Sequence, residues 1–389
     1  MNTKRQRIQS LDLLKGLIMV IMALDHVRDY FHYDSFFFDP TDPAQTNSAI
    51  FLTRWITHYC APAFSFLAGV SAFLVGRRKS KAELSSFLLK RGVWLIFIEF
   101  TVVNFAWFFD YQFDTIGFLV IYCLGVSMLF LAAIIHLQLK HILIFSLVVI
   151  FGHNGLDYLG VESSIGWSLI HEFGFFSLDN GKLLFVGYPI IPWIAVMSLG
   201  YYFGSFYDSS FSPEQRKRIF RIIGFTAVVA FVGIRLINGY GNNKFWVSQD
   251  TFGQTIFSFM DPSKYPPSLT YLLMTLGPIF IFLAYSEQLK GKLVEFFKVY
   301  GRVPFFYYIL HLYFIHGLAL LVAWGTGFGW EKMLVKGWVS ASPELDGFGY
   351  DLWVVYVIWI VIVLALYPLC KRFSDYKKAN KEKAWLSYL

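Results

Sequence analysis

Ten apolar stretches, most of them near the length that crosses a bilayer, dominate this chain and leave it few ways to fold. They lie at about 10–31, 49–75, 92–109, 115–135, 141–153, 183–206, 219–238, 268–286, 303–324 and 351–370, with 141–153 the shortest. A membrane-spanning helix needs about 20 mostly apolar residues. The pattern predicts an all-α, polytopic membrane helix bundle of about 10 transmembrane helices, forming one integral membrane domain over 1–389. A chain that is 56% hydrophobic and 15% charged is too apolar for an ordinary soluble protein. The basic start and apolar run resemble a signal peptide. The run is too long, carries charges and lacks a small-x-small cleavage site, so it reads as a retained helix.

The placement of basic residues orients the bundle. With ten spans both termini share a side, and 25 of the 33 lysines and arginines fall there. They include Lys4, Arg5, Arg7 and Lys15, the loop from Arg77 to Arg91, the groups Arg216–Arg221 and Lys290–Arg302, and the tail from Lys371. The positive-inside rule makes that side the cytoplasm. The net charge of +7 is therefore explained by topology and does not call for a nucleic-acid partner. The opposite loops, 32–48, 153–182, 239–267 and 325–350, are longer and aromatic. One holds Asp34, Asp39-Pro40 and Asp42-Pro43; the next holds His153, Asp157, Glu162, His171 and Glu172. Aromatic, glycine-rich loops of this kind suit either a bound sugar or the lipid headgroups. Cys60, Cys123 and Cys370 all fall in apolar stretches, with no disulfide framework and no metal spacing.

Polar residues inside the spans are few, and charge at membrane depth is usually kept for function. The first stretch carries Asp12, Lys15, Asp25 and His26. Eleven residues separate Lys15 from His26, which puts them on one helix face roughly 16 Å apart. Lys15, Met19, Met22 and His26 form one stripe, with Asp25 and Asp29 as candidate carboxylates to orient the imidazole. Arg54 and His58 share a face of the second helix, which Pro62 is expected to kink. Glu99 and Asn104 lie in the third, with Glu99 a candidate partner for His58. His311 and His316 follow Tyr307 and Tyr308 in the ninth. A single histidine in a bundle is more often a packed core residue than a catalyst, but four with two acids suggest general-base chemistry. The chain has no P-loop, dinucleotide fingerprint, HExxH or nucleophile-elbow serine, which leaves proton transfer or acyl transfer through histidine.

The segment RIQSLDLLKGLIMVIMALDH resembles the opening of the heparan-α-glucosaminide N-acetyltransferase-like family. HYCAPAFSFLAGVSAFL is similar to that family's second helix, and YPIIPWIAVMSLGYYFG, KYPPSLTYLLMTLGP and YGRVPFFYYILHLYFIH look like blocks of its bacterial branch. The spacing Lys15-x10-His26 resembles the Arg/Lys-x10-His signature of the wider transmembrane acyltransferase superfamily. The resemblance implies an enzyme of the bacterial inner membrane that uses acetyl-CoA as donor and no metal. It would pass acetyl from the cytoplasm to a sugar hydroxyl or amine on the far side. Lys15, Asp12, Arg54, Glu99 and His311 are assigned to the donor, and Lys15, Arg77, Arg78 and Arg302 to its phosphates. His26, Asp25, Asp29 and His58 are assigned to catalysis. In the lysosomal branch the catalytic histidine follows the first helix, where this chain has His32, so His26, His32 and His58 compete, with His26 favoured by its spacing.

Two other readings compete with the acyltransferase. A proton-coupled transporter or flippase would use the same histidines and acids as a relay, and proton-driven uptake by vesicles would favour it. A structural membrane protein would bind no CoA. A small-molecule or glycan acceptor and membrane lipid are the expected partners, in an oligomeric state the sequence leaves open.

Overall fold

The computed structural model describes residues 8–339 and 342–388. Lys4, Arg5 and Arg7, counted above for topology, lie outside them. Each of the ten apolar stretches contains a helix, so the chain is a mostly helical bundle. Among the described residues six helical segments are long and apolar enough to cross a membrane: 48–76, 139–158, 213–237, 269–286, 304–325 and 352–379. The other four expected spans fall short for visible reasons. Helix α1 (Gln9–Phe31) carries Asp12, Lys15, Asp25, Arg28 and Asp29.

The second stretch enters as α2 (Ser48–Thr57), capped by the Asn47 side chain, and resumes after a turn as α3 (Cys60–Gly76). Pro62 explains the break: it has no N–H for the carbonyl four residues back, and its ring crowds that position. That carbonyl, on His58, accepts a 2.7 Å hydrogen bond from Tyr271 Oη instead. Helix α4 (Lys81–Ile98) starts earlier than expected, because Ser80 and Glu83 form a capping box. A π-helical turn at Glu99–Val103 joins it to α5 (Asn104–Phe108). Then come α6 (Val120–Ile134) and α7 (Leu139–Gly152), the short α8 (Ile165–Ile170) and α9 (Trp193–Gly204). Helix α10 (Pro213–Ile237) opens on a second capping box, Ser212 with Gln215. Beyond it lie α11 (Phe252–Met260), α12 (Leu269–Ser286), the amphipathic α13 (Lys292–Arg302), α14 (Pro304–Gly325) and α15 (Leu352–Ala379).

A small sheet departs from the all-helical expectation. Strand β3 (Leu183–Val186) runs between β1 (Thr115–Phe118), to which it is parallel, and β2 (Gly174–Ser177), to which it is antiparallel. The apolar stretches 115–135 and 183–206 therefore each begin as strand. Gly187, Pro189 and Pro192 delay the second helix to Trp193.

Glycines set the closest helix crossings. They pair as Gly16 with Gly301 (α1 on α13), Gly69 with Gly200 (α3 on α9), Gly92 with Gly125 (α4 on α6), and Gly224 with Gly277 (α10 on α12). Small residues let helix backbones touch where lipid offers no hydrophobic drive between helices. The first crossing is the tightest: a Cβ on Gly16 would sit 1.8 Å from the Phe297 carbonyl oxygen, and one on Gly301 1.8 Å from that of Asp12. Gly16→Ala is expected to destabilise the protein by about 1–3 kcal/mol through overpacking. Gly233→Ala, with no neighbouring atom within 4 Å, is the control. Thermal unfolding in detergent reads both, and equal midpoints would show that the crossing tolerates a methyl group.

Candidate functional site

Helix α1 lines two cavities, one along each half. The proximal cavity, of about 400 Å³, is bounded by Lys15, Met19 and Met22 of α1 and by apolar side chains of α3, α4 and α6. Its mouth is basic, with Lys15, Arg91, Arg302 and Lys377. Lys15 Nζ donates to Ser71 Oγ at 2.7 Å. The distal cavity, of about 410 Å³, takes Met22, Asp25, His26, Arg28 and Asp29 from α1 and Arg54 and Thr57 from α2. Lys264 also lines it, and Trp107, Phe173, Phe185, Tyr188, Tyr265 and Trp338 give it aromatic walls. Both volumes fall in the usual range of ligand sites, about 300–1,000 Å³. The cavities abut, sharing Met22, Phe64, Val120 and Tyr308 in their linings.

The carboxylates of the distal cavity are held by arginines. Arg54 Nη1 meets both Asp25 carboxyl oxygens at 2.8 Å, and Thr57 Oγ1 donates to one of them at 2.9 Å. Arg28 Nη2 bridges Asp25 at 3.0 Å and Asp29 at 2.5 Å. This corrects the expectation that Asp25 or Asp29 orients His26. Arg28 stands three residues from Asp25 and next to Asp29, and charge-assisted pairing with it takes both acids first. Asp39, on the loop above, also lines the cavity. Burial opposes its ionisation, but hydrogen bonds from Thr41 and the field of Arg54 outweigh burial and hold its carboxyl below the usual range.

His26 finds its partner far away in sequence. Its Nδ1 lies 2.8 Å from His311 Nε2, and His311 Nδ1 lies 2.8 Å from the Tyr307 carbonyl oxygen. A carbonyl only accepts, so His311 Nδ1 carries the proton and its Nε2 the lone pair. His26 Nδ1 then donates to His311, leaving Nε2 as the basic nitrogen of a ring that lines the distal cavity. The Trp107 ring stands edge-on to His26 at 4.7 Å and fixes its plane.

The remaining assigned residues disperse. Lys15 lines the proximal cavity, but Arg54 belongs to the distal one, and His311 lies behind His26 rather than against a donor. Asp12, His32 and His58 are buried and line neither cavity. Glu99 does not meet His58: it accepts the Tyr122 N–H at 2.8 Å and so caps α6 from a neighbouring helix, which accounts for an acid at that depth. Asn104 takes Gly117 on β1 through both amide atoms. His316 packs both ring nitrogens against main-chain carbonyls of Ala106 and Met333. Of the four basic residues assigned to phosphates, Lys15 and Arg302 reach the proximal mouth, while Arg77 is engaged by Asp208 at 2.5 Å. Arg28, Thr57, Tyr308 and Trp107 were not singled out. Arg91 and Lys377 had been read only as topological charge. Arg28 had a visible signal, its spacing from Asp25; Tyr308 had only its closeness to His311.

A family model described as heparan-alpha-glucosaminide N-acetyltransferase, catalytic, matches residues 7–237, more than half of the chain. No curated protein matches it.

Proposed function

We propose that this chain, which belongs to the heparan-α-glucosaminide N-acetyltransferase catalytic family and is thus a membrane acyltransferase, moves acetyl from acetyl-CoA to a sugar hydroxyl or amine, with His26 as general base. The observation that carries this reading is the pair of abutting cavities on one face of α1, one basic-mouthed and apolar, the other holding the free Nε2 of His26. The donor chemistry fits the first cavity: phosphates suit Lys15, Arg91, Arg302 and Lys377, and the pantetheine arm suits the apolar bore towards Met22 and Tyr308. The acceptor fits the second, where aromatic faces take the apolar side of a sugar ring and Arg28, Arg54, Asp25 and Asp29 offer partners for hydroxyls. The seam is then where thioester and acceptor meet.

The basic mouth is assigned to the cytoplasm of a bacterial inner membrane, both termini with it, on the weight of 25 of 33 basic residues. The acceptor then reacts on the far side. The chain works as one domain over 1–389, because Tyr308 and His311 complete the site from beyond residue 237.

Acetyl-CoA binding to the purified protein tests the reading. Exposed phosphate–cation attraction is screened within about 3 Å at 1 M salt against about 8 Å at physiological strength, so affinity is expected to fall steeply with salt. Lys15→Ala and Arg302→Ala should each weaken binding and flatten that dependence. Salt-independent binding that survives both substitutions puts the donor elsewhere. Proton-driven solute uptake without CoA binding would favour a transporter.

A further inference from the structure

Four residues line both cavities, and three of them, Met22, Phe64 and Val120, have no polar side-chain atom able to donate a hydrogen bond. The fourth is Tyr308. Its ring is buried on α14 one turn before His311 and edge-on to it at 5.7 Å. The side-chain partner of its hydroxyl is Trp107, whose indole N–H can only donate to it, so the phenol proton stays available to an incoming acceptor. Resting on the acyl-transfer reading above, we propose that Tyr308 is a catalytic residue, its hydroxyl donating to the thioester carbonyl oxygen as that oxygen gathers negative charge.

The seam places the demand there. A thioester whose CoA moiety lies in the proximal cavity and whose attacker lies in the distal one has its carbonyl carbon between them. The acceptor oxygen or nitrogen bonds to that carbon while His26 Nε2 takes its proton. The carbonyl π pair moves onto oxygen, in surroundings of methionine, phenylalanine and valine that would otherwise leave the charge unsolvated. A donor fixed in advance, in a site shielded from water, stabilises such an oxyanion strongly. The pair then returns to re-form the carbonyl, the C–S bond breaks, and the leaving thiolate takes the proton back from His26, which restores the base. Acetylated acceptor and free CoA result. One turn of α14 thus serves both halves of the reaction, with His311 setting the tautomer of the base and Tyr308 receiving the charge.

Tyr308→Phe tests this. Loss of one oxyanion donor typically lowers kcat by about 10²–10³-fold, and that loss is expected here with KM for acetyl-CoA and its Kd nearly unchanged. The pH profile should keep its basic-group limb, because His26 is untouched. A kcat within about threefold of wild type, in a preparation where His26→Ala is inactive, overturns the role of Tyr308 and leaves the acyl-transfer reading standing. No transfer by the unaltered protein with any amino-sugar or hydroxyl acceptor overturns that reading itself. If the phenylalanine variant does not fold, Tyr308→Gln, which keeps an N–H donor, should outperform Tyr308→Leu. Equal turnover of those two overturns the proposal.

Discussion

His26→Ala is expected to lower acetyl transfer by about 10²–10⁴-fold, the usual contribution of a general base, while acetyl-CoA affinity and thermal midpoint stay close to wild type. Affinity should hold because His26 lies in the distal cavity and the basic mouth in the proximal one. Stability should hold because the ring lines the distal cavity, and among the described residues its hydrogen-bond partner is His311 alone. His311→Ala supplies the complementary result. It removes the acceptor that keeps the His26 proton on Nδ1, so the imidazole divides between tautomers and kcat falls by less than in His26→Ala, with KM unmoved. Made in parallel, His32→Ala and His58→Ala should keep transfer, since both side chains lie outside the two linings. Activity in His26→Ala together with loss in either of those would move the base.

How far the sequence revealed this site depends on the range of each interaction. The stripe from Lys15 through Met19 and Met22 to His26 follows from helix periodicity alone, and these four residues do run along the two cavities. Helix positions, the α2–α3 break at Pro62 and the basic loop ends are equally local. The partner of His26 was not legible, because His311 is 285 residues away and its helix shows only a histidine among aromatics. Local spacing pointed instead to Asp25 and Asp29 and undervalued Arg28, which competes for them from the same helix. Glu99 was misread for the same reason: an intramembrane acid suggests function, and its actual task of capping α6 appears only once two helices are docked. The sheet escaped notice because its four-residue strands lie inside or beside apolar runs, where strand and helix cannot be told apart by periodicity.

Asp25→Ala should be the most destabilising change at the site, by about 3–5 kcal/mol, the usual cost of leaving a buried partner charge uncompensated. Among the described residues Asp25 is the only carboxylate that meets Arg54, and it shares Arg28 with Asp29. Without it Arg54 has no carboxylate partner among the described residues, Arg28 keeps only Asp29, and Thr57 Oγ1 loses an acceptor. The α2 helix follows a turn-rich loop and ends in the break before α3, so this ion pair is a main tie between its C-terminal end and α1. Two further variants separate the causes. Asp25→Asn keeps the shape and an acceptor oxygen, and should recover part of the loss. Asp25→Ala combined with Arg54→Ala should cost less than the sum of the single changes, because the second removes the charge that the first strands. Chemical or thermal unfolding in detergent reads all four. Additive losses would show that Asp25 and Arg54 act independently and that the α1–α2 contact is held by packing alone.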